Sequence, residues 1–354
     1  MEIFRLVTML VCLFETTLGG LEQIFDDQGL TSIPLNISGN VTDLSCEKNA
    51  INTIRTVDFN DKYPHLSSIL LAENVITLIE DGSFKGTKLS RIRLRKNDIS
   101  VIPDFSEVKS TLTTIDLAVN KITELSVGDL SYLTQLTTLN LLSNRIISVA
   151  DGCFAGTNLG HVILDKNLLT NIPDFLAVNA TLRTLDIQSN ELVDVSPGEV
   201  SYLGKLENFY LKGNRISLLP DLAKYLPSLT KLMINELPLQ CCCGMAWMKE
   251  LSESFSVEMD TRPCVSPSKW NESTWDEITG EMLRREPCEI DASHWIRCQV
   301  TSDIIMASRV KEHVEANSDY LNEQENMSIT GAFRVDKCPS AYVVLSAKEY
   351  DHRV

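Results

Sequence analysis

The chain has 354 residues, 48 Asp and Glu against 32 Lys and Arg, a formal charge of −16, and 44% apolar residues. That acidity argues against nucleic acid as a partner, and the apolar content excludes a disordered polymer. Aromatic residues make up only 6%, so many small slots filled by Leu and Ile are expected rather than one aromatic core.

Residues 1–19 read as a signal peptide: Arg5 precedes the apolar run Leu6–Phe14, and the small residues Thr17, Gly19 and Gly20 follow. The run is too short to cross a bilayer, and no later stretch reaches about twenty apolar residues. The end, Lys348–Val354, is polar. A secreted, extracellular chain without a transmembrane anchor is therefore expected. Residues 20–40 are assigned to an N-terminal cap, and Gly29–Pro34 within them resembles the cap strand and turn of a known repeat family.

From 41 to 236 one frame recurs: apolar, two variable, apolar, one variable, apolar, two variable, Asn, one variable, apolar. Clear copies are Leu89/Ile92/Leu94/Asn97/Ile99, Leu112/Ile115/Leu117/Asn120/Ile122 and Leu136/Leu139/Leu141/Asn144/Ile146. The Asn returns every 23 to 25 residues, at 49, 74, 97, 120, 144, 167, 190 and 214. A ninth copy, Leu229/Leu232/Ile234, carries Leu237 where Asn is expected. Apolar residues two apart face one side of a short strand. No single repeat has a core of its own, so stability comes from stacking. The Asn amide is placed to pair backbone groups where the chain turns.

A longer period lies on top. Asp81–Leu89 returns as Asp151–Leu159, Ile102–Phe105 as Ile172–Phe175, and Ser131–Leu133 as Ser201–Leu203, each 70 residues on. It reads as repetition of backbone shape on the convex side.

The frame resembles the leucine-rich repeat family, and from about residue 20 to 288 the chain is similar to leucine-rich repeat receptor ectodomains and matrix proteoglycans. The resemblance implies an α/β-type solenoid: a horseshoe of about nine repeats, with one short parallel strand per repeat. Residues 237–288, containing Leu237-Pro-Leu-Gln-Cys241-Cys-Cys243, Trp247, Cys264 and Cys288, resemble the family's cysteine-rich C-terminal cap. That resemblance implies disulfides Cys241–Cys264 and Cys243–Cys288, with Trp247 plugging the ladder's end.

The tail, 289–354, shows no frame, and Cys298 and Cys338 are expected to close a loop within it. Cys46 fills a Leu slot and reads as a buried free thiol. Cys153 occupies the place of Ser83 in the preceding triplet, which puts it outside the core. Cys153 and Cys242 stand three repeats apart, at least ~14 Å, too far for a bridge. Either is a candidate for pairing between chains, giving a homo-oligomer. Paired thiols in an oxidising compartment leave zinc disfavoured.

Motifs for hydrolase, metalloprotease or nucleotide chemistry are absent, so the chain reads as no enzyme, with no cofactor and no metal. His161 reads as a solvated surface residue. Sequons stand at Asn36, Asn40, Asn179, Asn271 and Asn326, each a candidate glycan site. Outward strand positions mix polar and apolar residues, among them Ile163, Tyr210 and Met233, which suits protein recognition. Arg91, Arg93 and Arg95 form a basic strip on one strand, suited to an acidic protein patch or a sulfated glycan; an internal Arg93–Asp116 pair is the competing role. The expected function is recognition of an extracellular protein or matrix ligand through the concave sheet face. A self-associating matrix component, or a non-catalytic subunit of a secreted enzyme, is the alternative.

Overall fold

The structure, a computed structural model, describes residues 21–288 and a short antiparallel pair, Ala332–Arg334 with Tyr342–Val344. The signal segment, Cys298, Asn326 and Cys338 lie outside the described residues. The chain divides into two compact units, Met1–Leu164 and Asp165–Val354.

In the first unit, the strands Leu21–Ile24, Val41–Ser45, Ser68–Leu70, Arg91–Arg93, Thr114–Asp116, Thr138–Asn140 and His161–Ile163 pair in parallel in that order. The register keeps one frame position aligned: Leu44, Ile69, Ile92, Ile115, Leu139 and Val162 stand side by side. Each is at most 1% exposed. A fully buried side chain of this size contributes roughly 1.5–3 kcal/mol of transfer free energy. The edge strand is Leu21–Ile24, not the expected Gly29–Pro34. That stretch is bent, irregular backbone, fixed at its start where Asn49 Oδ1 accepts from the N–H groups of Gln28 and Leu30, at 2.9 and 3.0 Å.

Strands end abruptly because the residue before each Asn is left-handed. Glu73, Lys96, Val119 and Ser143 have φ of 57°, 54°, 57° and 53°. The turn sends the Asn side chain inward. Asn120 Oδ1 accepts from Ile99 N at 3.0 Å, and Asn120 Nδ2 donates to Leu94 O at 2.9 Å and Leu117 O at 3.0 Å. Asn74, Asn97 and Asn144 repeat this geometry, and all are buried. These contacts satisfy backbone groups that would otherwise be buried unpaired.

Aromatic residues are few but concentrated. Phe59, Phe84 and Phe105 are fully buried, with ring centroids 5.8 and 6.2 Å apart along the stack. The 70-residue period has a physical basis: Tyr132 OH accepts from Phe105 N at 3.0 Å, and Tyr202 OH accepts from Phe175 N at 3.1 Å. Cys153 corrects the sequence expectation, for it is 0% exposed. Its counterpart Ser83 is buried too, its hydroxyl donating to Glu80 O at 2.5 Å. The shared position is therefore a core slot. A thiol fills it as a small apolar group.

The second unit repeats the ladder with Thr184–Asp186, Asn208–Tyr210, Lys231–Met233 and Ser256–Glu258. The last strand comes from the cap. It extends the sheet beyond the ninth frame and puts Val257 beside Leu232. A small core of Cys241, Ala246, Cys264, Trp270, Ile278 and Leu283 follows, with Trp275 against it. Trp247 is also buried. No helix among the described residues is long and apolar enough to cross a membrane.

Candidate functional site

Alternation along each three-residue strand sends its central residue inward and the two flanking ones to the open sheet face. In the first unit this face is ordered in rows. Ser68, Arg91, Thr114, Thr138 and His161 form one row; Leu70, Arg93, Asp116, Asn140 and Ile163 form the next. Arg91, Arg93 and Arg95 are all exposed.

The three arginines differ in their partners. Arg93 lies between two carboxylates, with Glu47 Oε1 at 3.6 Å and Asp116 Oδ2 at 3.8 Å. Lys96 is held by Glu73 at 3.1 Å. Arg91 and Arg95 have no ion pair among the described residues, and the neighbours of Arg91 in its row are the hydroxyls of Ser68 and Thr114. Arg93 is thus a neutralised pivot, and Arg91 and Arg95 are free forks on either side of it. An exposed pair such as Arg93–Asp116 contributes only about 0–1 kcal/mol, so its main effect is orientation.

In the second unit, Tyr210 and Met233 are register neighbours and half-buried. Lys231 Nζ lies 5.7 Å from the Tyr210 ring centroid and 2.8 Å from Glu258 Oε1. Two carboxylates on this face escaped the sequence reading. Burial raises the Asp186 pKa and nearby Asp165 adds to the rise, while hydrogen bonds from Gln188 oppose it. Asp165 Oδ1 is buried without a hydrogen-bond partner. Their signal was one Asp ending the strand Thr184–Asp186 and another two residues past the strand His161–Ile163, hidden among many solvated carboxylates. Among the described residues, no group of three or more His, Cys, Asp or Glu is placed to hold a metal ion.

The cap disulfides correct one expected pairing. Cys241–Cys264 forms as the family resemblance implied. The second bond joins Cys242, not Cys243, to Cys288, with Cα atoms 5.0 Å apart. Cys241 follows the strand Leu239–Gln240, and Cys242 is extended, with φ −148° and ψ −175°. Consecutive extended residues point to opposite sides, so Cys241 and Cys242 reach different partners. Cys243 starts a 3-10 turn and keeps a free, half-buried thiol. The two cysteines expected to join chains are not available for it: Cys242 is paired within the chain, and Cys153 is buried. Burial pushes the Cys46 and Cys153 thiols up to about 12.

Stacked parallel strands, inward asparagines and a disulfide-bonded cap define a leucine-rich repeat solenoid. Family profiles agree: a BspA type leucine rich repeat region in 6 copies matches residues 52–180, and a leucine rich repeat profile matches 157–216 and 180–236. The chain belongs to the leucine-rich repeat proteins. Lumican of Coturnix japonica is 27% identical over 266 residues, covering 66% of this chain and 76% of lumican. Tsukushi of Gallus gallus is 29% identical over 116 residues, and the match spans only 31% of Tsukushi's length. Among solved structures, a chain of the octameric complex of Latrophilin 3, Unc5D and FLRT2 (LRR) superposes with a TM-score of 0.55 at 20% identity. That match covers 75% of this chain and 98% of the other, and the likeness is one of fold.

Proposed function

We propose that this is a secreted recognition protein whose open sheet face binds an extracellular protein or matrix glycan, with Arg91 and Arg95 contacting an anionic group. The observation that carries the reading is the pair of unpaired, exposed guanidinium groups flanking a neutralised Arg93, on a chain of charge −16. A guanidinium offers a planar fork to carboxylate or sulfate. The likeness to lumican along most of its length supports an extracellular setting. Ile163, three strands along the same row as Arg93, and Tyr210 and Met233 in the second unit supply apolar contact area. Asn36, Asn40 and Asn271 are exposed and Asn179 half-buried, so all four are open to glycosylation in this setting.

The test is replacement of Arg91 and Arg95 by Ser, leaving Arg93 and its two carboxylates intact. Binding to immobilised heparin-like chains and to an acidic peptide is measured at two salt concentrations. The variant should lose most binding at low salt, and wild-type binding should weaken steeply as salt rises. Equal binding of wild type and variant at low salt would move the site to the Tyr210–Met233 surface.

A further inference from the structure

Three sulfurs meet at the cap where only two can bond. Cys242 is bonded to Cys288, and the free Cys243 Sγ lies 3.8 Å from the same Cys288 Sγ. The arrangement is fixed by backbone rather than by the bond alone. Cys243 N donates to Glu286 O at 2.9 Å, tying the cysteine triplet to the segment that ends in Cys288. Gly244 N points at the Cys288 sulfur from 3.3 Å. A Cβ at Gly244 would stand 3.3 Å from Cys288 Sγ, close enough that the sulfur would have to give by a few tenths of an ångström, so the glycine eases this approach. The second disulfide, Cys241–Cys264, uses none of these atoms and holds the cap closed independently.

We infer that Cys242, Cys243 and Cys288 form an exchangeable three-sulfur site, in which the cap bond moves between Cys242–Cys288 and Cys243–Cys288. Cys243 gives its proton to solvent and attacks Cys288 Sγ as the thiolate. The Cys242–Cys288 bond breaks as Cys243–Cys288 forms, and Cys242 leaves as a thiolate that takes a proton back. One disulfide and one thiol are present before and after, so no oxidant or reductant is consumed.

The two isomers differ in where the thiol sits. In the bonding described here it is Cys243, half-buried and open to solvent; after exchange it is Cys242, a position that is 0% exposed. Reactivity of a thiol follows access and thiolate character. The first isomer can therefore form a mixed disulfide with a second chain or a small thiol, and the second cannot. Exchange thus switches the covalent reach of the cap on and off without changing its oxidation state.

The test uses the secreted full-length chain. Exchange is quenched with acid and the chain is unfolded in denaturant. Thiols are then labelled with N-ethylmaleimide at mildly acid pH, so that a buried thiol is labelled as well as an open one, and fragmentation mass spectrometry assigns the label to 242 or 243. One sample is quenched directly, another after incubation at pH 8 with a catalytic mixture of reduced and oxidised glutathione. The expected result is partial loss of the label from Cys243 and its appearance on Cys242, with the same ratio reached from either direction. Label confined to Cys243 in both samples overturns the proposal. Cys242→Ser and Cys243→Ser are also mapped: each should retain a bond to Cys288, and a Cys242→Ser chain with both Cys243 and Cys288 free would equally overturn it. If a variant is not secreted, the wild-type mapping still decides.

Discussion

Replacing Asn144 by Ala isolates what one rung of the asparagine ladder contributes. Asn144 Oδ1 is the acceptor for Ile122 N at 3.1 Å, and its Nδ2 donates to Leu117 O and Leu141 O, both at 3.0 Å. Leu117 O keeps a second donor, Asn120 Nδ2, also at 3.0 Å. The loss that leaves a donor unpaired is the acceptor for Ile122 N, in a place where Asn144 itself is only 8% exposed and water has little entry. A buried donor left unpaired costs about 1–3 kcal/mol, which lowers Tm by roughly 2–12 °C for a domain of 150–250 residues. Asn49→Ala is the matched control. It bears the same frame position, but its Oδ1 serves the N–H groups of Gln28 and Leu30 at the more open end, so its loss should cost less. Urea denaturation of both variants, followed by circular dichroism, gives the two values. If Asn49→Ala destabilises as much as Asn144→Ala, burial of the unpaired donor is not the source of the effect.

Tyr132→Phe removes the acceptor for Phe105 N and should destabilise by about 1 kcal/mol, as should Tyr202→Phe at the equivalent latch; an unchanged denaturation midpoint in both would dismiss the latch. Val119 is β-branched yet left-handed at φ 57°, so Val119→Asn should raise stability by up to about 1 kcal/mol. A lower midpoint would mean that the Val side chain has packing worth more than its strain. Burial lifts the Asp186 pKa above 3.8, so the native state holds that proton more tightly than the unfolded chain. Stability is then lost as pH rises from 3.8 through the native value, and is flat above it. Asp186→Asn keeps an acceptor for Gln188 and should melt higher than wild type at pH 7, with the gap closing below pH 3.8. A gap that is constant with pH would show that the charge is not the cause.

The ladder was legible because each frame repeats a short-range constraint: apolar residues two apart, then an Asn at a turn. Arg93–Asp116 was legible for the same reason, since equal frame positions on consecutive strands are neighbours. Features set by three-dimensional closeness were not. Cys153 was placed outside the core because Ser83 is polar, but both fill a buried slot behind the sheet. The strand Ser256–Glu258 carries no frame and is recruited by the edge of Lys231–Met233. The triplet Cys241–Cys243 offered the cap a choice of sulfur, and only the extended backbone at Cys242 selects its partner. Phe59, Phe84 and Phe105 stand 25 and 21 residues apart, about one repeat each, but they fall outside the Leu and Asn frame, so the frame alone did not announce their stack.

The asparagine contacts all run one way along the chain. Ile99 N waits for Asn120, Ile122 N for Asn144, and Leu192 N for Asn214. Each turn is completed by a residue made some twenty positions later. A nascent chain therefore always trails one unfinished turn behind the ribosome, sealed only when the following repeat emerges. Folding can keep pace with synthesis, but a chain halted between repeats has no sealed end. The series closes at Leu237, where the asparagine is missing and the cap strand Ser256–Glu258 takes over the open edge. Early truncation should thus be recognised by quality control as an unfinished edge wherever it falls, rather than yield a shorter stable protein.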